Sequence, residues 1–172
     1  LTTSAGNVAV TLLNAGASGD ATLNASGTVT GSGLTADALT VDASTEIMLS
    51  TTVASADLST SGTGDVSITE TDGIVLSDVD TNDGSITVTA AGDVTATDVA
   101  STTDGDANDV TLTTSAGNIA ITLLNAGALG DATLNASGTV TGSGLTADEL
   151  IVDASTAITL TTTVASADLS TT

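Results

Sequence analysis

The sequence predicts an all-β fold, a parallel β-helix or solenoid with about 22 residues per turn. Three observations predict it: a long internal repeat, a shorter quasi-period inside it, and a strand composition without rings or proline.

The long repeat is read by sliding the chain along itself. Leu1–Ser61 realigns on Leu112–Thr172 at an offset of 111, and only nine of the 61 pairs differ. Two of the nine, Val8/Ile119 and Val10/Ile121, enlarge alternate positions while keeping them β-branched, as inward-facing strand positions require. Residues 1–172 therefore read as one continuous solenoid segment holding about one and a half copies of a 111-residue unit.

Inside the unit runs a recurring phrase: an apolar pair, a second apolar position about eight residues on, and a third near thirteen or fourteen. Val66 and Ile68 are followed by Ile74 and Val79, Ile86 and Val88 by Val94 and Val99, and Val110 and Leu112 by Ile119 and Leu124. Ala132 and Leu134 lead to Val140 and Leu145, and Leu150 and Val152 lead to Ile158 and Val164. Starts at 66, 86, 110, 132 and 150, with the next expected at 177, give spacings of 20, 24, 22, 18 and 27 residues. Five such turns, each of about three short strands, would fill one long repeat. Gly73, Gly92, Gly117 and Gly138 precede the second apolar position in four of the five units, where a corner is expected to demand a positive φ.

The composition agrees. Val, Ile and Leu alternate with Thr and Ser, which is strand chemistry and distinguishes the chain from an acidic disordered tail. There is no Pro, whose missing N–H would break a ladder, and no Phe, Tyr or Trp, which a narrow coil has little room for. A string of immunoglobulin-like sandwiches is the competing architecture, since about 111 residues is a normal module size. Sandwich cores, however, normally contain rings, and their strands do not repeat one internal pattern five times.

The absent residues also bound the function. With no Lys, Arg, His or Cys and a net charge of -21, the chain lacks the usual general bases, the partners that activate a Ser or Thr nucleophile, and the cations that hold phosphate. An enzyme is therefore not expected, and neither is nucleic acid as a partner, because a polyanion without rings is repelled by phosphate and offers nothing to stack on. No stretch is apolar for long enough to insert into a membrane as a helix. Nothing in the motifs requires a cofactor, and calcium is the one metal whose oxygen ligands are plentiful.

Two loops concentrate those ligands: Asp78, Asp80, Asn82 and Asp83 before Gly84, and Asp104, Asp106, Asn108 and Asp109 around Gly105. Neither has the glycine and glutamate spacing of an EF-hand, so the choice lies between a looser calcium site and solvated acidic turns. Asn24-Ala25-Ser26 and its copy Asn135-Ala136-Ser137 fit the glycosylation sequon, although both lie within alternating strand patterns.

The stretch GDVSITETDGIVLSDVDTNDGSITVTAAGDVTATDV at positions 64–99 resembles the β-helical regions of filamentous-haemagglutinin-like and other giant repetitive bacterial surface proteins. The resemblance is one of pattern and covers essentially the whole segment. It implies a right-handed parallel β-helix, export to the cell surface, and roles in adhesion, matrix or fibre formation. It carries over no catalytic residue. The expected function is a structural extracellular fibre or cell-surface rod that partners itself, through further repeats or end-to-end and lateral contacts. A calcium-dependent adhesin stalk is the alternative.

Overall fold

The computed structural model describes residues 1–172, which form strands joined by turns, bends and short irregular links, with no helix. Seventeen strands, β1–β17, run Thr2–Thr3, Val8–Val10, Leu13–Asn14, Ala21–Ala25, Val29–Ala43, Ile47–Thr63, Val66–Glu70, Ile74–Asp83, Ile86–Ala90, Val94–Ala96, Val99–Ser101, Val110–Thr114, Ile119–Ile121, Leu124–Asn125, Ala132–Ala136, Val140–Ala154 and Ile158–Thr171. Every strand pairing is parallel, and partners lie a whole turn apart in sequence. The chain is thus a β-solenoid of about eight turns of about 20 residues, and a string of antiparallel sandwiches is ruled out.

Each turn has two flanks. On the first, Val8, Val29, Ile47, Val66, Ile86, Val110, Ala132, Leu150 and Ala167 stack one above another. On the second, Leu23, Val41, Leu58, Val79, Val99, Leu124, Leu145 and Thr162 do the same. Period-two alternation sends these side chains inward, and all but Thr162 and Ala167 of the last strand join one core of 41 buried apolar residues with no second cluster. Full burial of each Val, Leu or Ile contributes about 1.5–3 kcal/mol.

The stacking reproduces the sequence spacings 66, 86, 110, 132 and 150. It departs from the expected sixth start at 177, because Leu150 pairs with Ala167, only 17 residues on. The long repeat does not close on whole turns. From Val8, five turns lead to Val110 on the first flank, whereas Ile119, the counterpart of Val8, lies half a turn further on, between Val94 and Val140 on the second flank. One repeat is therefore five and a half turns, which brings the mean turn to about 20 residues instead of about 22.

Identical sequence consequently occupies opposite flanks. Ala21–Ala25 is a straight strand on the second flank, and its identical copy Ala132–Ala136 is a straight strand on the first. The bent segment Val8–Val10 with Leu13–Asn14 lies on the first flank, while its copy Ile119–Ile121 with Leu124–Asn125 lies on the second. The bends carry Gly33 and Gly144, at φ values of 64° and 66°, where pairing slips between Gly31 and Leu34 and between Gly142 and Leu145. The flanks exchange shape between β6 and β8, where the register shifts at Ala56/Asp57 and again at Thr60/Thr63.

The corner glycines have a different cause from the one expected. Gly73, Gly92, Gly117 and Gly138 do not have positive φ. They are required by crowding: a Cβ on Gly117 would stand 2.4 Å from the carbonyl carbon of Gly92 in the adjoining coil. Successive coils touch backbone to backbone at this corner.

Candidate functional site

The inner corners are closed by buried hydroxyls. Thr81 Oγ1 donates to the carbonyl of Gly84 at 2.7 Å and Thr114 Oγ1 to that of Gly117 at 2.8 Å, each satisfying a turn that strand pairing leaves open. Thr60 does the same toward Gly64 at 3.2 Å. The Thr-x-x-Gly spacing of 81–84 and 114–117 was the available sequence signal. Ser101, stacked on Thr81, is buried with its hydroxyl unpaired.

Acidic and amide side chains staple the outer corners. On the first flank, from Asp65 to Asp131, the residue just before the stacked apolar position accepts the backbone N–H of its equivalent one coil on. Asp65 Oδ1 accepts Ser85 N at 2.8 Å, Ser85 Oγ accepts Asp109 N at 3.3 Å, Asp109 Oδ1 accepts Asp131 N at 3.0 Å, and Asp131 Oδ1 accepts Glu149 N at 3.0 Å. On the second flank, Asp93 Oδ1 accepts Asn118 N at 2.7 Å and Asn118 Oδ1 accepts Thr139 N at 2.8 Å. These ladders occupy the corners where the backbone begins each strand, and the carboxylate members are charge-assisted acceptors.

The six proposed calcium ligands are dispersed by this scheme. Asp109 is in the staple ladder, and Asp104 Oδ1 accepts Leu129 N at 2.8 Å from the next coil. Asp83 accepts the Asn108 side-chain amide at 3.0 Å, and the same nitrogen donates to the carbonyl of Thr103 at 2.9 Å. The buried Asn108 thus joins the two acidic loops through a neutral donor. Asp106 is exposed in its turn, and Asp78 and Asp80 lie on β8. No three carboxylates converge closely enough to hold a metal ion.

Both sequon asparagines point outward from straight strands, half-buried between coils. Asn24 pairs with Asp42, and Asn135 lies between Thr113 and Asp153. Outward hydroxyls also line up on the first flank, where Ser67 and Thr69, Thr87 and Thr89, and Thr111 and Thr113 stack in register.

The densest charge lies where the flanks change shape. Asp57 pairs with Asp78, Asp80 follows two residues on beside Ser59, and Asp98 adjoins the Val79/Val99 pair one coil further. Burial, then Asp78 and Asp98, push the Asp80 carboxyl up to about 6, and a hydrogen bond shared with Asp78 acts the same way. Partial burial, then Asp78 and Asp42, raise Asp57. On the inside of the same coil, Glu70 is 2% exposed and its carboxyl is raised by burial. Its Oε2 accepts Thr51 Oγ1 at 2.7 Å and Val53 N at 3.1 Å, and its Oε1 accepts Thr71 N at 2.8 Å. Sequence reading missed Glu70, although the alternation Val66, Ile68, Glu70 points it inward.

Surface hollows are shallow. One lies at the corner formed by Ala36, Val53, Ala54 and Asp72, and another at the last coil among Leu150, Ile158, Leu160 and Leu169. No helix is long and apolar enough to cross a membrane. Comparison with family profiles, with curated proteins and with solved structures returns no match.

Proposed function

We propose that this chain is a length of non-catalytic extracellular rod, built from tandem β-solenoid repeats and serving through its shape at a bacterial cell surface or in a filament. The observation that carries this reading is the self-continuing geometry: each coil is the template for the next through strand pairing, one core and the outer staple ladders. Function then scales with length, because each coil depends mainly on its immediate neighbours. Surface location is supported by the pattern resemblance of residues 64–99 and by the lack of Lys and Arg, which leaves trypsin-like proteases no cleavage site. Its partner is its own kind, through continuation of the repeat or contact between rods.

Electron microscopy and fibre diffraction on the native material, with and without a calcium chelator, test the proposal. A rod with an axial repeat near 4.8 Å that survives chelation is the expected outcome. Globular particles would overturn it. Loss of the rod on chelation would replace it with a calcium-dependent adhesin stalk.

A further inference from the structure

We propose that the coil pair formed by β6 with β7 and β8 is an acid-closed joint in the rod, locked when its carboxyls share protons and loosened, ahead of every other coil, when they ionise. Three independent features meet there. It is where the flanks exchange shape, so the pairing of β6 with β8 slips at Ala56/Asp57, leaving Ser77 as an extra residue, and slips again at Thr60/Thr63. A bulged ladder has fewer bonds to lose and opens at lower cost than a regular one.

The second feature is the carboxyl cluster on the outside of this bulge. Asp80 meets Asp78 on its own strand, Asp57 from β6, and Asp98 from the approach to β11, while Asp42 of β5 stands behind Asp57. No cationic side chain exists to neutralise them. A protonated Asp80 donates a hydrogen bond to Asp78, which makes the pair attractive, whereas two carboxylates there repel.

The third feature is Glu70 on the inside of the same turn. It accepts the N–H of Val53 in the coil below and of Thr71 in its own, bridging β6 to the corner after β7. Asp72 is the only titratable neighbour acting on it, and Ala90 of β9 stacks above it without charge. Asp57, Glu70 and Asp80 are the three groups in the chain whose carboxyls are clearly raised, and all three belong to this coil pair.

The direction of the effect follows from proton binding. A raised carboxyl holds its proton more tightly in the folded chain, so between the ordinary value of 3.8 and about 6 the folded state binds more protons than the unfolded one. Stability of the joint is highest below that window and falls as pH rises through it.

Hydrogen exchange followed residue by residue on the 172-residue chain, at constant ionic strength and corrected for intrinsic rates, tests this. Between pH 7.5 and pH 4, protection at Leu58 is expected to rise about tenfold, a full linkage of about sixtyfold being discounted for solvent screening at a half-exposed group. Protection at Val110 and Leu112 should change less than about twofold on the same basis. Asp80→Asn, an outward isosteric change, should remove most of the rise, leaving the part carried by Glu70 and Asp57, and Asp98→Asn should diminish it. An equal response at Val110 and Leu112 would overturn the joint, as would a full response surviving in both variants.

Discussion

Residues 51–60 and 162–171 share the sequence TTVASADLST, yet their side chains meet different surroundings. In β6 this stretch is covered by the next coil, and Val53 and Leu58 are 2% and 1% exposed. In β17, the last strand of residues 1–172, Leu169, the counterpart of Leu58, is 52% exposed, and Val164 is only partly buried. The local strand is the same, so the difference lies entirely in the neighbour. Sequence sets the pleat and the inward direction, whereas burial, and most of the stability, arises between coils.

Breaking the covered copy should therefore cost far more than breaking the bare one. Leu58→Ala is expected to destabilise the chain by about 2–5 kcal/mol in urea unfolding, against about 0.5 kcal/mol or less for Leu169→Ala. Appending a further copy of residues 62–83 after Thr172 should bring the Leu169→Ala cost up toward that of Leu58→Ala; an unchanged cost would show that covering is not the cause. The corner glycines give the next largest contrast. Gly117→Ala drives a methyl into the backbone of the adjoining coil and should cost about 1–3 kcal/mol or more. Its counterpart Gly6 has open space around it, so Gly6→Ala should cost only the strain of its φ of 109°, about 1–2 kcal/mol.

Smaller effects separate the staples. Asp131→Ala leaves the Glu149 N–H without its acceptor and should cost about 1 kcal/mol, while Asp131→Asn keeps an acceptor oxygen, as Asn118 does, and should recover most of that. Ser166 takes the same register position against Glu149 in β17, where its side chain caps no backbone N–H, and Ser166→Ala should be neutral. Raising ionic strength from 0.01 to 0.15 M shortens the screening length from about 30 to about 8 Å. With a net charge of -21, the melting temperature should rise by about 2–4 °C, the equivalent of about 1 kcal/mol.

Much of the coil was legible because inward Val, Ile and Leu keep period two within a strand and recur once per turn. The starts at 66, 86, 110, 132 and 150 are true stacking partners for that reason. The step to 177 fails because identical sequence does not occupy an equivalent position in this coil. A solenoid core accepts any small apolar side chain in a column, so Ala167 can stack on Leu150 although nothing in its sequence resembles Leu150. The acidic residues were harder to read. Whether Asp109 binds an ion, faces water or caps a backbone N–H depends on what lies above it, which here is Asp131, 22 residues away. Only Asp57, Asp78 and Asp98, spaced by about one turn, advertised their cluster in advance.

The half-integral repeat has a consequence of parity. In any longer chain made of such units, each added copy advances the axis by about 26 Å, five and a half steps of about 4.8 Å, and carries its outward side chains to the opposite side. Two copies, about 53 Å, restore the original facing. Losing or gaining a single repeat would turn everything distal to it to the other side of the rod, whereas changes in pairs would leave the facing intact and alter only the reach.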